Sequence, residues 1–243
     1  MVRKFTPLTN LIPNIVTIAS VCAGLTAIRY SFANRWDVAV ILVIIAAFLD
    51  LFDGKIARMM KSTSDFGAQL DSLADFVNYG VVPPIIIYLW TLKYIPIKGI
   101  GWGFVLFFSI CCIVRLARFN VEHDAPDTQS DLFFTGLPST AGGVLALLPI
   151  VASLEYDLAW QEMSFYIGIY MSIIAILMPS RVPSFCTKAV SIPSNWTWLF
   201  LVLAGTFIGA MIIEPWNTIL ATGIGYILSI PISCIVFLNK RIK

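Results

Sequence analysis

Asp50-Leu51-Phe52-Asp53-Gly54-Lys55-Ile56-Ala57-Arg58 and, eight residues on, Gly67-Ala68-Gln69-Leu70-Asp71-Ser72-Leu73-Ala74-Asp75 lie at the junction of two strongly apolar segments. Four carboxylates and an arginine thus stand where so apolar a chain should carry almost no charge. On a helix, Asp50, Asp53, Gly54 and Ala57 fall at i, i+3, i+4 and i+7 and share one face. Gly67, Asp71 and Asp75 are spaced by fours and form a second stripe. Lys61-Ser62-Thr63-Ser64 reads as the turn of a helical hairpin, which lets the two stripes face each other.

Four carboxylates that close repel one another unless positive charge compensates them, and one arginine is too little. Oxygen ligands without Cys or His select a hard cation, Mg²⁺ or Mn²⁺, which keeps waters and commonly binds substrate phosphates. Four Asp suit two such ions, an arrangement that clamps the attacking and leaving oxygens of a displacement at phosphorus. Gly54 and Gly67 remove side chains from the same faces, leaving room for a ligand against the backbone. One or two Asp at a helix end would read as charges reaching for the headgroups; four on facing stripes do not.

The rest of the chain sets those stripes in a bilayer. Across 243 residues, 58% are hydrophobic and 12% charged, and mean hydropathy is +0.86, which excludes an ordinary soluble domain. Apolar runs near the ~20 residues needed to cross a bilayer predict an all-α membrane protein. About eight helices are expected, at 13–33, 37–60, 66–92, 98–121, 138–155, 162–180, 195–213 and 216–238. The chain reads as one catalytic domain, with 1–180 a six-helix core and 195–238 two additional helices. No cleavage site follows the first apolar run, which reads as a retained anchor. With the amino terminus inside, twelve basic residues (3, 4, 55, 58, 61, 115, 118, 181, 188, 240, 241 and 243) face the inner side. Only Arg29, Arg35, Lys93 and Lys98 face outward. That bias predicts both termini and the Asp cluster on the cytoplasmic side.

The hairpin matches Asp-x2-Asp-Gly-x2-Ala-Arg-x8-Gly-x3-Asp-x3-Asp at every fixed position, through Asp50, Asp53, Gly54, Ala57, Arg58, Gly67, Asp71 and Asp75. In this it resembles the CDP-alcohol phosphotransferase family. The resemblance implies an enzyme that moves a phosphatidyl-type group from a CDP-linked lipid to an alcohol and releases CMP. It implies that Asp50, Asp53, Asp71 and Asp75 hold two divalent ions, and that Asp75 also serves as the base. It further implies a homodimer. Pro13-Asn14-Ile15-Val16-Thr17 opens the first helix on the same side, where Asn14 alone reads as a helix-start residue. The resemblance adds these five residues to a CDP-lipid contact set with Asp53, Gly54, Ala57, Arg58, Ser64 and Gly67. Free N–H groups at such a helix start suit a phosphate.

Arg115 and Arg118 in Arg115-Leu-Ala-Arg118-Phe119-Asn120 share a helix face at the inner end of the fourth helix. By pattern alone they read equally well as inner-side anchors. With Ser72-Leu-Ala-Asp75-Phe, Gly80-Val-Val-Pro83 and Thr135-Gly136-Leu137-Pro138, they resemble the phosphatidylserine synthases of the family. That resemblance implies CDP-diacylglycerol and L-serine as substrates, with Arg115, Arg118 and Asn120 as candidates for binding serine; glycerol 3-phosphate, inositol phosphate or choline is the alternative acceptor. His123, in the polar stretch 122–134, reads as solvated.

The last hundred residues carry less. Cysteines 22, 111, 112, 186 and 234 lack metal spacing and read as buried small residues. Gly205 and Gly209 read as a helix-packing face. No patch suited to nucleic acid is present in the sequence. The reading from a different class is an ion- or proton-coupled transporter, since intramembrane Asp also mark ion pathways. Against it, no second half of the chain repeats the cluster, as inverted repeats would.

Overall fold

The computed structural model describes residues 12–59, 64–123, 133–156, 160, 162–180, 183–185 and 197–241. The first helix, α1 (Ile12–Phe32), buries Pro13, Thr17, Ser20, Gly24, Ala27 and Ser31, a stripe of small residues at steps of three and four. Ile15, Ile18 and Leu25 face outward. Large apolar groups outside and small groups inside is the pattern of a helix packed by close backbone approach within lipid. α1 packs against α2 (Trp36–Met59), α3 (Asp65–Asp75) and α4 (Val82–Trp90), and so forms one wall of the hairpin region. The turn between α1 and α2 carries an ion pair, Arg35 Nε to Asp37 Oδ1 at 3.3 Å.

The span expected at 66–92 is continuous from Asp65 to Trp90 but is not one regular helix. Between α3 and α4 the chain widens into a π-helical turn, Phe76–Val81, where the Val82 amide reaches back to Val77 O. Pro83 and Pro84 explain the break, because neither can donate to the preceding turn. The carbonyl that Pro84 leaves without a helical partner, Gly80 O, accepts from Ser109 Oγ at 2.7 Å. Ser109 belongs to α5 (Ile100–His123), which packs on the π turn.

The segment expected as one helix at 138–155 is likewise divided, into α6 (Ser139–Ala146) and α7 (Leu148–Glu155), with Leu147 at the joint. Pro149 cannot donate to Leu145 O, and Tyr170 Oη of α8 (Ser164–Leu177) fills that role at 2.8 Å. α9 (Thr197–Ile213) and α10 (Pro215–Arg241) follow, with α10 packed on α7 and α9. Gly205 and Gly209, expected to form a packing face, meet nothing among the described residues within 4 Å of where a Cβ would stand. Cys22 corrects another expectation: it is exposed, whereas Cys111 and Cys112 are buried thiols.

One departure from all-helical structure is a short antiparallel ladder, β1 (Phe133–Thr135) with β2 (Pro183–Phe185), pairing Phe133 with Phe185. It brings the Thr-Gly-Leu-Pro stretch back onto the end of α8, where Leu137 N donates to Leu177 O at 3.1 Å. Gly136 makes the corner at φ 84°, and a Cβ there would lie 2.6 Å from both Met178 O and Ser180 O. Only glycine fits that conformation and that space.

Helices 12–32, 65–90 and 100–121 are long and apolar enough to cross a membrane, and three shorter apolar helices accompany them. Ile86, Ile87, Phe108, Leu147, Ile150 and Met171 are among the buried core side chains, while most of α9 presents large apolar groups outward. The molecule is a multi-pass, helical membrane protein.

Candidate active site

α2 supplies Asp50 and Asp53 one turn apart, and α3 supplies Asp71 and Asp75 one turn apart. Carboxylate oxygens of Asp50, Asp53 and Asp71 all lie within 4.8 Å of one another, a spacing at which one hard cation can touch all three. Asp53 is almost wholly buried, Asp50 is half-buried and Asp71 is open to the outside. Asp75 stands one turn from Asp71, outside that set of three, with its carboxyl beside that of Asp50.

The donor chemistry fits a divalent ion. The cluster is oxygen-only, and Asp50 Oδ1 and Asp75 Oδ1 are buried with no hydrogen-bond partner. Carboxylates so close and so sparsely satisfied by protein donors could be neutralised by a cation or by protonation. Among the described residues, nothing lies within 4 Å of a notional Cβ on Gly54, next to Asp53.

Local structure explains how the side chains are held. Ser64 caps α3, its Oγ accepting from Gly67 N at 3.1 Å. A Cβ on Gly67 would press on Ser64 Oγ and on Asn14 Oδ1, both at 3.2 Å. Ser64, Gly67 and Asn14 are therefore neighbours. Along the same turn Pro13 is buried, Val16 half-buried and Ile15 exposed. Ala57 and Arg58 continue α2, but their side chains lie outside the described part, as does that of His123.

Thr17 has a role that its sequence position did not reveal. Its hydroxyl donates to Asp53 Oδ2 at 2.7 Å, so it orients a carboxylate of the cluster. Beneath it, Ser20 Oγ donates to Thr17 O at 2.7 Å, and Asn78 Nδ2 donates to Ser20 Oγ at 3.1 Å. This polar chain ties α1 to the π turn inside the membrane. Gly24 is required beside it, because a Cβ there would collide with Asn78. Buried hydroxyls and amides on a membrane helix were the available signal, and in α1 they fall on one stripe.

The two arginines separate. Arg115 is 8% exposed and lies near Asp75, Cys112 and Tyr226. Arg118 is more open and donates to Pro179 O at 3.4 Å. Asn120 Nδ2 donates to Ser72 Oγ at 2.9 Å, fastening the end of α5 to the residue after Asp71.

A family model described as CDP-alcohol phosphatidyltransferase matches residues 10–178, and with them the whole Asp hairpin. The chain belongs to this family. A second model, CDP-alcohol phosphatidyltransferase 2, matches residues 195–231. Among similar CDP-alcohol phosphatidyltransferases is a protein of Mycobacterium leprae named CDP-diacylglycerol–serine O-phosphatidyltransferase. It is 32% identical over 224 residues, covering 91% of this chain and 74% of that one. A Helicobacter pylori protein of the same name is 32% identical over 84% of this chain and 83% of its own. A Bacillus subtilis protein, also so named, is 36% identical over 57% of this chain and 75% of its own.

Proposed function

We propose that the protein transfers the phosphatidyl group of CDP-diacylglycerol to L-serine, giving phosphatidylserine and CMP. The observation that carries the reaction class is the convergence of Asp50, Asp53 and Asp71 in a family whose donors carry a diphosphate. The names of the relatives support serine as the acceptor.

In this reading the diphosphate lies against Asp50, Asp53 and Asp71, with Asn14, Gly54, Ser64 and Gly67 lining the nucleotide side. Asp50, Asp53, Asp71 and Asp75 would hold two divalent ions, Mg²⁺ or Mn²⁺. When bound there, such ions supply neutralisation of charge on the diphosphate oxygens. Asp75 accepts the proton of the serine hydroxyl as its oxygen attacks the lipid-side phosphorus. The bond from that phosphorus to the bridging oxygen breaks, and CMP leaves with the electron pair. Transfer is direct, since the sequence offers no obvious Ser/His nucleophile pair near the cluster.

The acceptor carboxylate needs a cation away from the ions. Arg115 is favoured over Arg118 because it is the more buried of the two and lies near Asp75. A guanidinium fork binds a carboxylate through two parallel hydrogen bonds. Asn120, held by its bond to Ser72 Oγ, is the third candidate for contact with serine. The chain forms one catalytic domain, with a core through residue 180 and an added helical pair at 195–238. We assign it to the plasma or inner membrane as a homodimer, with both termini and the active site cytoplasmic; the charge bias supports the orientation.

An acceptor panel with labelled CDP-diacylglycerol and Mg²⁺ or Mn²⁺ tests the reading. Product with serine is expected. Product with glycerol 3-phosphate or inositol phosphate and none with serine refutes the acceptor but keeps the reaction class. Ion flux in proteoliposomes without CMP release refutes both.

A further inference from the structure

We propose that Tyr79 is a positioning residue of this site, its hydroxyl being the donor that fixes the Asp50–Asp75 pair. The inference rests on reading the Asp cluster as a divalent-ion site.

Tyr79 is fully buried and lies in the π turn four residues after Asp75. Helical side chains lean toward the preceding turn, which carries the phenol back toward Asp75. Its Oη faces the carboxylates of Asp50 and Asp75. Tyr79 Oη, Asp50 Oδ1 and Asp75 Oδ1 are each buried without a hydrogen bond of full geometry. A buried phenol left without a partner is costly, and an ionised carboxylate can only accept. Two ionised carboxylates cannot satisfy each other, whereas one O–H between them can satisfy either. The three unfilled atoms are therefore complementary: one donor and two acceptors.

The ring has little freedom to turn elsewhere. A Cβ on Gly143 of α6 would lie 3.0 Å from Tyr79 Cα and Cβ and 3.1 Å from Cδ1, so α6 is pressed against its base. On the other side of the cluster Thr17 plays the matching part for Asp53. A donor to a ligating carboxylate turns its remaining lone pairs toward the ion and holds them there. Such supporting donors typically matter by about 10–100-fold in ion affinity.

The test is Mn²⁺ binding to the detergent-solubilised protein without substrate, by calorimetry and by electron paramagnetic resonance. Wild type should bind Mn²⁺, and Asp53→Asn should lose most of that binding. Failure of wild type to bind overturns the ion-site reading, and this proposal with it. Tyr79→Phe, which deletes one oxygen, should bind Mn²⁺ about 10–100-fold more weakly. Its Tm in chelator should match wild type, while the rise in Tm on adding Mn²⁺ should shrink. At saturating Mn²⁺, KM for the CDP-lipid should recover more than kcat. If wild type binds in an Asp53-dependent way and Tyr79→Phe has the same affinity, the positioning role is wrong and the ion site stands. Should Tyr79→Phe fail to accumulate, Gly143→Ala keeps the hydroxyl but crowds the ring. It must weaken Mn²⁺ in the same direction, and an unchanged affinity there also overturns the proposal.

Discussion

Replacing Thr17 by Val separates orientation of the cluster from nucleotide contact. Thr17 is 4% exposed, and its single hydroxyl proton has Asp53 Oδ2 at 2.7 Å and Pro13 O at 3.1 Å as acceptors. The nearer and charged acceptor takes it. Valine keeps the branched shape, so packing against α2 is preserved and only the donor is lost. A hydrogen bond to a charged group is worth about 1.5–3 kcal/mol, and about 1.4 kcal/mol is a factor of ten. The Gly54 amide also donates to Asp53, so the carboxylate is not stripped of donors. The loss should therefore fall toward the lower end, at about tenfold in apparent Mg²⁺ or Mn²⁺ affinity. CMP release measured across a metal titration gives that constant directly. Thr17→Ser should stay close to wild type. An unchanged metal constant paired with a higher KM for CDP-diacylglycerol would refute the reasoning, and would return Thr17 to the nucleotide pocket.

Other outcomes follow from the same geometry. Asp75→Asn should lose at least about 10²–10⁴-fold in turnover, with CDP-diacylglycerol binding affected less than in Asp53→Asn; ordinary turnover would remove it from the base role. Arg115→Lys should raise KM for serine well beyond KM for CDP-diacylglycerol, and more than Arg118→Lys does, in steady-state assays with each substrate varied. Gly136→Ala should lower Tm markedly, because the left-handed corner admits no Cβ between Met178 O and Ser180 O; an unchanged melting curve would mean that the corner is not formed. Ser109→Ala should cost about 1–3 kcal/mol by leaving Gly80 O unsatisfied, seen in unfolding titrations in detergent.

The Asp hairpin was legible because charge in a membrane segment is expensive, so its spacing stood out from an apolar background. The helical periods then placed Asp50, Asp53 and Asp71 on faces that do converge. The interruptions at Phe76–Val81 and Leu147 were not legible in that way. Proline announces a lost donor, yet it does not say whether a neighbour will supply another. Ser109 and Tyr170 do so here, which keeps both spans in the bilayer. The parts of Thr17 and Asn120, and the reach of Tyr79 to Asp50, depend on contacts across helices that periodicity within one helix cannot encode. The β1–β2 ladder escaped because three-residue strands leave no readable alternation.

Both hydroxyls that complete a proline-broken span come from the helix that follows it in the chain: Ser109 of α5 serves α4's turn, and Tyr170 of α8 serves α6. A bare carbonyl at membrane depth is costly by several kcal/mol. During synthesis, then, the span bearing Asp71 and Asp75 stays energetically unfinished until its successor enters beside it. Chain order thereby becomes assembly order. A ribosome-held intermediate ending before Ser109 should keep this span near the insertion machinery, and emergence of α5 releases it.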